Sequence, residues 1–89
     1  MIDSIQSLRN FLIEYFKDKD VNIYLFGSRA RGEERKYSDI DIAIDSKENL
    51  KYDLVKLKEI IEESNLIYKV DLVELKKVKF LDKEMIKWL

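Results

Sequence analysis

The sequence predicts an α/β (α+β) fold, a small mixed sheet with helices packed on one face and an active site on the open face. Three observations carry this expectation. Segments with apolar residues at three- and four-residue spacing alternate with short runs rich in β-branched and aromatic residues. Between Asp39 and Asp45, Ile40, Ile42 and Ile44 alternate with Asp39, Asp41, Ala43 and Asp45, so one strand face is apolar and the other acidic. Gly27-Ser28 ends the strand before it and opens a polar loop.

Taken in order, Ile5, Leu8, Leu12 and Phe16 make one face of an amphipathic helix reaching about residue 17, with Asp3 and Gln6 as a candidate capping box. Residues 21–26 read as a strand that stops at Gly27. A short helix is expected from 28 to about 34, with Ser28 as its N-cap, before a charged loop. The acid-bearing strand occupies 39–45, with its isoleucines toward the helices. Leu50, Leu54, Leu57 and Ile61 give the next helix, ending near Ser64-Asn65, and residues 67–75 give a third strand. Leu81, Met85 and Trp88 carry the spacing of a short C-terminal helix, whose apolar side, with Phe80 and Leu89, serves either core packing or a partner. No repeat, low-complexity segment or linker interrupts residues 1–89, which are expected to form a single domain.

Composition narrows the chemistry. The 89 residues are near the lower limit at which one apolar core sustains a fold. With no cysteine and no histidine, thiolate chemistry, zinc ligation of the usual kind and an imidazole base are excluded, and any metal is bound by oxygen. Seventeen basic residues against eighteen acidic ones leave no cationic excess for phosphate backbones, so no direct nucleic-acid substrate is expected. The sequence has no apolar stretch of membrane-spanning length and no secretory signal pattern, which predicts a cytoplasmic protein without membrane association.

The chemistry-bearing residues form the string G-S-x10-D-x-D, from Gly27-Ser28 to Asp39 and Asp41, with Asp71 inside the later apolar run Val70-Asp71-Leu72-Val73. Gly27 permits a sharp turn and close backbone approach, and amides at the start of the following segment can face phosphate oxygens. Asp39 and Asp41 project from one strand face and can share a hard divalent cation, with Asp71 joining from a neighbouring strand. A solvated polar face is the plainer alternative, and a buried-looking Asp71 argues against it. Arg29 and Arg31 flank the turn, and each is a candidate clamp for phosphate charge, Arg31 being preferred. Tyr37, in the loop, is the tyrosine placed to touch a nucleotide.

At Gly27-Ser28-Arg29-Ala30-Arg31-Gly32, Ser38-Asp39-Ile40-Asp41-Ile42 and Val70-Asp71-Leu72 the chain resembles the DNA polymerase β-type nucleotidyltransferase superfamily. Within it, the sequence is similar to the minimal nucleotidyltransferase (MNT) antitoxins, the MntA-type protein adenylyltransferases that accompany HEPN-domain toxins. The resemblance covers nearly the whole chain. It implies that Gly27 and Ser28 hold the triphosphate, beside the Arg31 clamp preferred above, and that Asp39, Asp41 and Asp71 are catalytic and hold Mg2+, with two ions expected. It also implies transfer of AMP from ATP to a tyrosine hydroxyl of the cognate HEPN toxin, with release of pyrophosphate. Many relatives continue past the position of Trp88-Leu89 into another short strand.

Superfamily members that modify tRNA, DNA or antibiotics carry further domains to hold the acceptor. None is visible in this sequence, which favours a folded protein as acceptor. Two other functions compete: a non-catalytic antitoxin acting by steric occlusion, and the catalytic subunit of a small-molecule nucleotidyltransferase whose acceptor site lies on a separate chain.

Overall fold

A computed structural model describes residues 1–33, 35, 38–77 and 85–89. The elements are α1 (Ile5–Phe16), β1 (Val21–Phe26), β2 (Ile40–Ser46), α2 (Lys51–Glu62), β3 (Val70–Glu74), a 3-10 turn (Leu75–Lys77) and β4 (Ile86–Lys87). The strands form one mixed sheet in the order β3-β2-β1-β4. β2 runs antiparallel to β1 and parallel to β3, and β4 is antiparallel to β1.

Strand alternation divides the sheet into two unlike faces. Val21, Ile23 and Leu25 of β1, Ile40, Ile42 and Ile44 of β2, and Leu72 of β3 are buried in one cluster with Leu8, Leu12 and Phe16 of α1 and Leu57 and Ile61 of α2. Pairing of Ile23 with Ile44 and of Leu25 with Ile42 keeps these side chains on the helix side. The helices therefore cover the isoleucine face, and the acidic residues of β2 are directed to the other, as their alternation predicts. A hydrogen bond of 2.8 Å from the Tyr15 hydroxyl to Asp53 fastens α1 to α2 above the sheet. Burial and the neighbouring Asp53 carboxylate push the Tyr15 phenol up to about 12.

The structure corrects several expected boundaries. The cap of α1 is Ser4, one residue later than Asp3: the Ser4 hydroxyl accepts from the Ser7 amide at 3.1 Å, and the Ser7 hydroxyl accepts from the Ser4 amide at 2.9 Å. Ser7 supplies the reciprocal group at the position where a longer Glu or Gln side chain is commoner. The helix expected from residue 28 is a single hydrogen-bonded turn. Ala30 and Arg31 both donate to the Gly27 carbonyl, at 3.1 and 3.2 Å, and Gly32 at φ 72° ends the coil before it propagates. Glu34 lies outside the described residues. β3 begins at Val70, later than expected, and Ile67 ahead of it is 70% exposed.

The expected C-terminal helix is overturned for residues 85–89. Ile86 and Lys87 pair with Leu25 and Tyr24, and the Trp88 amide donates to the Ile23 carbonyl at 2.7 Å. Helical spacing of Met85 and Trp88 gives way to the unpaired edge of β1, whose backbone groups need partners. Trp88 is buried in the core cluster, so the packing role holds for it and the partner-facing role does not. Phe80 and Leu81 lie outside the described residues.

Glu74, at the end of β3, is a charged residue in the core layer at only 4% exposure. Its carboxylate pairs with Lys77 at 2.6 Å and Lys76 at 3.7 Å. The hydrogen bond from Lys77 holds it below the usual carboxylate range, against the opposing effect of burial, with help from the Leu50 amide and the Lys76 charge. Leu50 is the N-cap of α2 and has no side-chain cap of its own, so Glu74 accepts from the helix start from across the fold.

Candidate active site

The open face carries its chemistry at one end, where β1 stops and β2 and β3 begin. Register places Asp41 opposite Phe26 on one side and directly beside Asp71 on the other. Asp39 immediately precedes β2 and shares the face of Asp41 two residues on. Asp39 and Asp71 are exposed, and Asp41 is half-buried. Sheet topology thus brings the distant Asp71 to the pair named by the D-x-D string. Its interruption of an apolar run reflects an open sheet face beside Asp41; the helix-side residues of β3 are its neighbours Val70 and Leu72.

Gly27 joins the turn to these acids. It adopts φ 77°, a conformation strained for any residue with a Cβ. A Cβ built there would collide with the Asp41 carboxylate, lying 3.1 Å from its Cγ and 3.4 Å from its Cβ. The backbone therefore passes against the carboxylate with no room between them. Beyond Gly27, the Ala30 and Arg31 amides return to its carbonyl. Among the described residues no carbonyl or side chain accepts from the Ser28 and Arg29 amides, which leaves two donors at the mouth of the turn.

Electrostatics at Asp41 records the gathering of charge. Burial pushes its carboxyl up, repulsion from Asp71 and then Asp39 adds to this, and the Arg31 charge opposes it. Such a group is eased by a cation. The donors are all carboxylate oxygens, the chemistry of a hard ion such as Mg2+. Among the described residues, no three acidic, histidine or cysteine side chains close to a single metal-holding cluster. The set fits an ion held by one or two carboxylates with its remaining positions open to phosphate or water, the habit of Mg2+ at phosphoryl-transfer sites.

The two arginines part company. Arg31 is exposed, pairs through Nε with Glu33 at 3.1 Å and contributes positive charge at Asp41. Arg29 turns the other way: its Nε and a terminal nitrogen donate to the Ser38 carbonyl at 3.2 and 2.9 Å, and its guanidinium lies 4.5 Å from the centre of the Tyr68 ring. Ser38 in turn closes the loop, its hydroxyl accepting from the Arg35 amide at 2.6 Å and its amide donating to the Arg35 carbonyl at 3.0 Å. The sequence pattern does not disclose these contacts of Arg29 and Tyr68; its signal for them is a long planar cation in the turn and an aromatic residue three positions before Asp71. Tyr37, expected at the nucleotide, lies outside the described residues. Asp45 remains in β2 opposite Asn22, toward the other end of the strand from Asp41.

A mixed sheet with helices on one face, and a glycine turn abutting paired aspartates on the other, is the architecture of a nucleotidyl-transfer domain. The comparison with protein families agrees: the nucleotidyltransferase domain matches residues 5–88, and the chain belongs to this family. It is 45% identical over 56 residues, 62% of the chain, to the probable protein adenylyltransferase MntA of Haemophilus influenzae (strain ATCC 51907 / DSM 11121 / KW20 / Rd). The matched region is about half of that relative, 49% of its length.

Two solved structures share the fold. One is a toxin–antitoxin with AMP-PNP, with TM-score 0.63 and 26% identity, covering 91% of this chain and 72% of that one. The other is a toxin–antitoxin MntA–HpeT mutant in which two aspartates are replaced by glutamate, with TM-score 0.60 and 24% identity over the same shares. No helix among the described residues is long and apolar enough to cross a membrane.

Proposed function

We propose that residues 1–89 act as a minimal nucleotidyltransferase domain and cytoplasmic antitoxin, transferring AMP from ATP to a tyrosine hydroxyl of a HEPN-domain toxin and so neutralising it. The observation that carries the reading is the seating of the Gly27 turn against Asp41 while Asp41 stands in register with Asp71. One end of the sheet then offers phosphate-facing amides and a carboxylate group within reach of each other. The likeness to a probable protein adenylyltransferase and to toxin–antitoxin structures supports a protein acceptor.

In this reading Gly27 admits the triphosphate close to the backbone, the Ser28 hydroxyl and the free amides bind its oxygens, and Arg31 adds positive charge. Asp39, Asp41 and Asp71 hold Mg2+, two ions by family resemblance. When bound, the metal supplies neutralisation of phosphate charge and of the attacking and leaving oxygens. The acceptor oxygen forms a bond to the α-phosphorus as the bond to the β-phosphate bridging oxygen breaks. Pyrophosphate departs, and the acceptor proton passes to Asp71, so no histidine is needed.

The test is the intact mass of the co-purified toxin partner after incubation with this protein, ATP and Mg2+, beside an Asp39→Ala/Asp41→Ala control. An adenylyl increment that requires the aspartates supports transfer, and mapping it names the acceptor residue. A stable complex that neutralises without any increment sinks the catalytic reading in favour of occlusion.

A further inference from the structure

We infer that Arg29 is a positioning residue for the acid cluster, clamping the three backbone segments that carry the site, and is not a ligand for phosphate. The inference rests on the transferase reading above for its activity assay, but its geometry stands apart from it.

Asp39, Asp41 and Asp71 come from two strand starts that are remote in sequence, and all three lie at or just before the first rungs of the β2–β3 ladder. Asp39 lies outside β2, at the end of a polar loop. Among the described residues β3 pairs with β2 alone, and it is preceded by a segment that includes the exposed Ile67. A strand start of this kind frays easily. Arg29 reaches both. Two of its donors grip the carbonyl of Ser38, the residue joined directly to Asp39, and its guanidinium carbon lies over the ring of Tyr68, three residues ahead of Asp71. Next to these contacts, the Ile40 amide donates to the Lys69 carbonyl at 2.8 Å and begins the pairing of β2 with β3. Arg29 itself stands in the turn that starts at Gly27, so one side chain ties the turn to the heads of both acid-bearing strands.

The form of the contact explains the residue type. A planar guanidinium donates twice to one carbonyl and presents its face to an aromatic ring at the same time, which a lysine ammonium does not do. With Nε and one terminal nitrogen engaged by the Ser38 carbonyl and its guanidinium carbon over the Tyr68 ring, Arg29 is anchored to the strand starts, and the phosphate role falls to Arg31. Loss of the clamp is expected to loosen the spacing of Asp39 and Asp71 around Asp41, and so to weaken metal binding and turnover before it weakens nucleotide binding.

The variants are Arg29→Lys, Arg29→Ala, Tyr68→Phe and Tyr68→Leu, with folding checked by thermal melting. Two readouts are taken: transfer kinetics with ATP and Mg2+, and Mn2+ affinity followed by the paramagnetic resonance of the free ion. Arg29→Lys is expected to lower kcat roughly ten- to a hundredfold, as for other small displacements of catalytic groups, and to raise the Mg2+ concentration for half-maximal rate. KM for ATP should stay within about twofold. Tyr68→Leu should move in the same direction, while Tyr68→Phe, which keeps the ring, retains transfer. A rise in KM for ATP at unchanged kcat, or Arg29→Ala and Tyr68→Leu proteins with unaltered kcat and Mn2+ affinity, overturns the inference. If the wild-type protein transfers nothing, the transferase reading fails and the Mn2+ affinities decide alone: a drop of about tenfold in Arg29→Lys and Tyr68→Leu but not in Tyr68→Phe upholds the clamp, and equal affinities refute it.

Discussion

Gly27 and Gly32 offer an internal control for the part played by the turn. Both adopt positive φ, 77° and 72°, so alanine at either position meets the same backbone penalty. That penalty is about 1–2 kcal/mol for a left-handed L-residue, offset in part by the smaller entropy of the unfolded alanine chain. Each variant should therefore lose about 1 kcal/mol, lowering Tm by roughly 4–8 °C in a domain of this size.

The sites differ in what the new methyl group meets. At Gly32 no described atom lies within 4 Å, whereas at Gly27 the methyl is driven into the Asp41 carboxylate. Asp41 must swing away, and with Asp41 in the catalytic role proposed for it, a displacement of about 1 Å costs on the order of a hundredfold in rate. Paired thermal melts and single-turnover adenylyl transfer measure the two effects separately. Gly27→Ala should lose about a hundredfold in transfer and Gly32→Ala less than about threefold at similar Tm. Equal transfer rates in the two variants would refute the claim that close packing of Gly27 on Asp41 organises the site.

Further outcomes are expected elsewhere. Because burial, Asp71 and Asp39 raise the Asp41 carboxyl, its folded pKa exceeds its unfolded one, and its contribution to stability is present at acid pH and lost as pH rises through the folded value. Asp41→Asn should accordingly raise Tm at neutral pH without Mg2+ while abolishing transfer; a lowered Tm would count against the repulsion. Glu74 has the opposite sign: its lowered carboxyl gives stability above the ordinary carboxylate range that is lost as pH falls through its folded value. Glu74→Ala, which leaves the Leu50 amide without that acceptor, should cost about 2 kcal/mol by urea unfolding at pH 7, and the deficit should shrink in acid. Trp88→Ala should cost about 3 kcal/mol through lost burial and speed hydrogen exchange at Ile23, whose amide donates to the Leu89 carbonyl; exchange unchanged from wild type would contradict the role of Trp88 in holding the edge.

Where the sequence could be read and where it could not follows from the range of the forces involved. Val21–Phe26 was fully legible, and Ile40–Ser46 nearly so, because alternation reports which side of a strand is buried. Lys51–Glu62 was legible from its apolar spacing. Residues 85–89 were misread because the decisive interaction is with Ile23, Tyr24 and Leu25, far away in sequence, and local periodicity carries no record of a vacant ladder edge. The candidate acids were all named from G-S-x10-D-x-D and Asp71, yet only parallel pairing of β2 with β3 explains why Asp71 belongs beside Asp41. Arg29 shows the limit of motif reading: two cations in one turn are alike as letters, and their roles separate only when Ser38 and Tyr68 are seen beneath one of them.

The alternation of β2 also sets where the chain tolerates change in length. Its isoleucines and its aspartates occupy the same seven-residue strand on opposite faces. Inserting or deleting one residue inside that strand would turn carboxylates into the oily layer and isoleucines into water for every position beyond the change. The same event in the turn between Ser46 and Leu50 would leave both faces as they are. Lineages descended from this chain should therefore vary in length around β2 and not within it, since one slipped residue would set the isoleucines that anchor the strand and the aspartates that face the site out of step with each other.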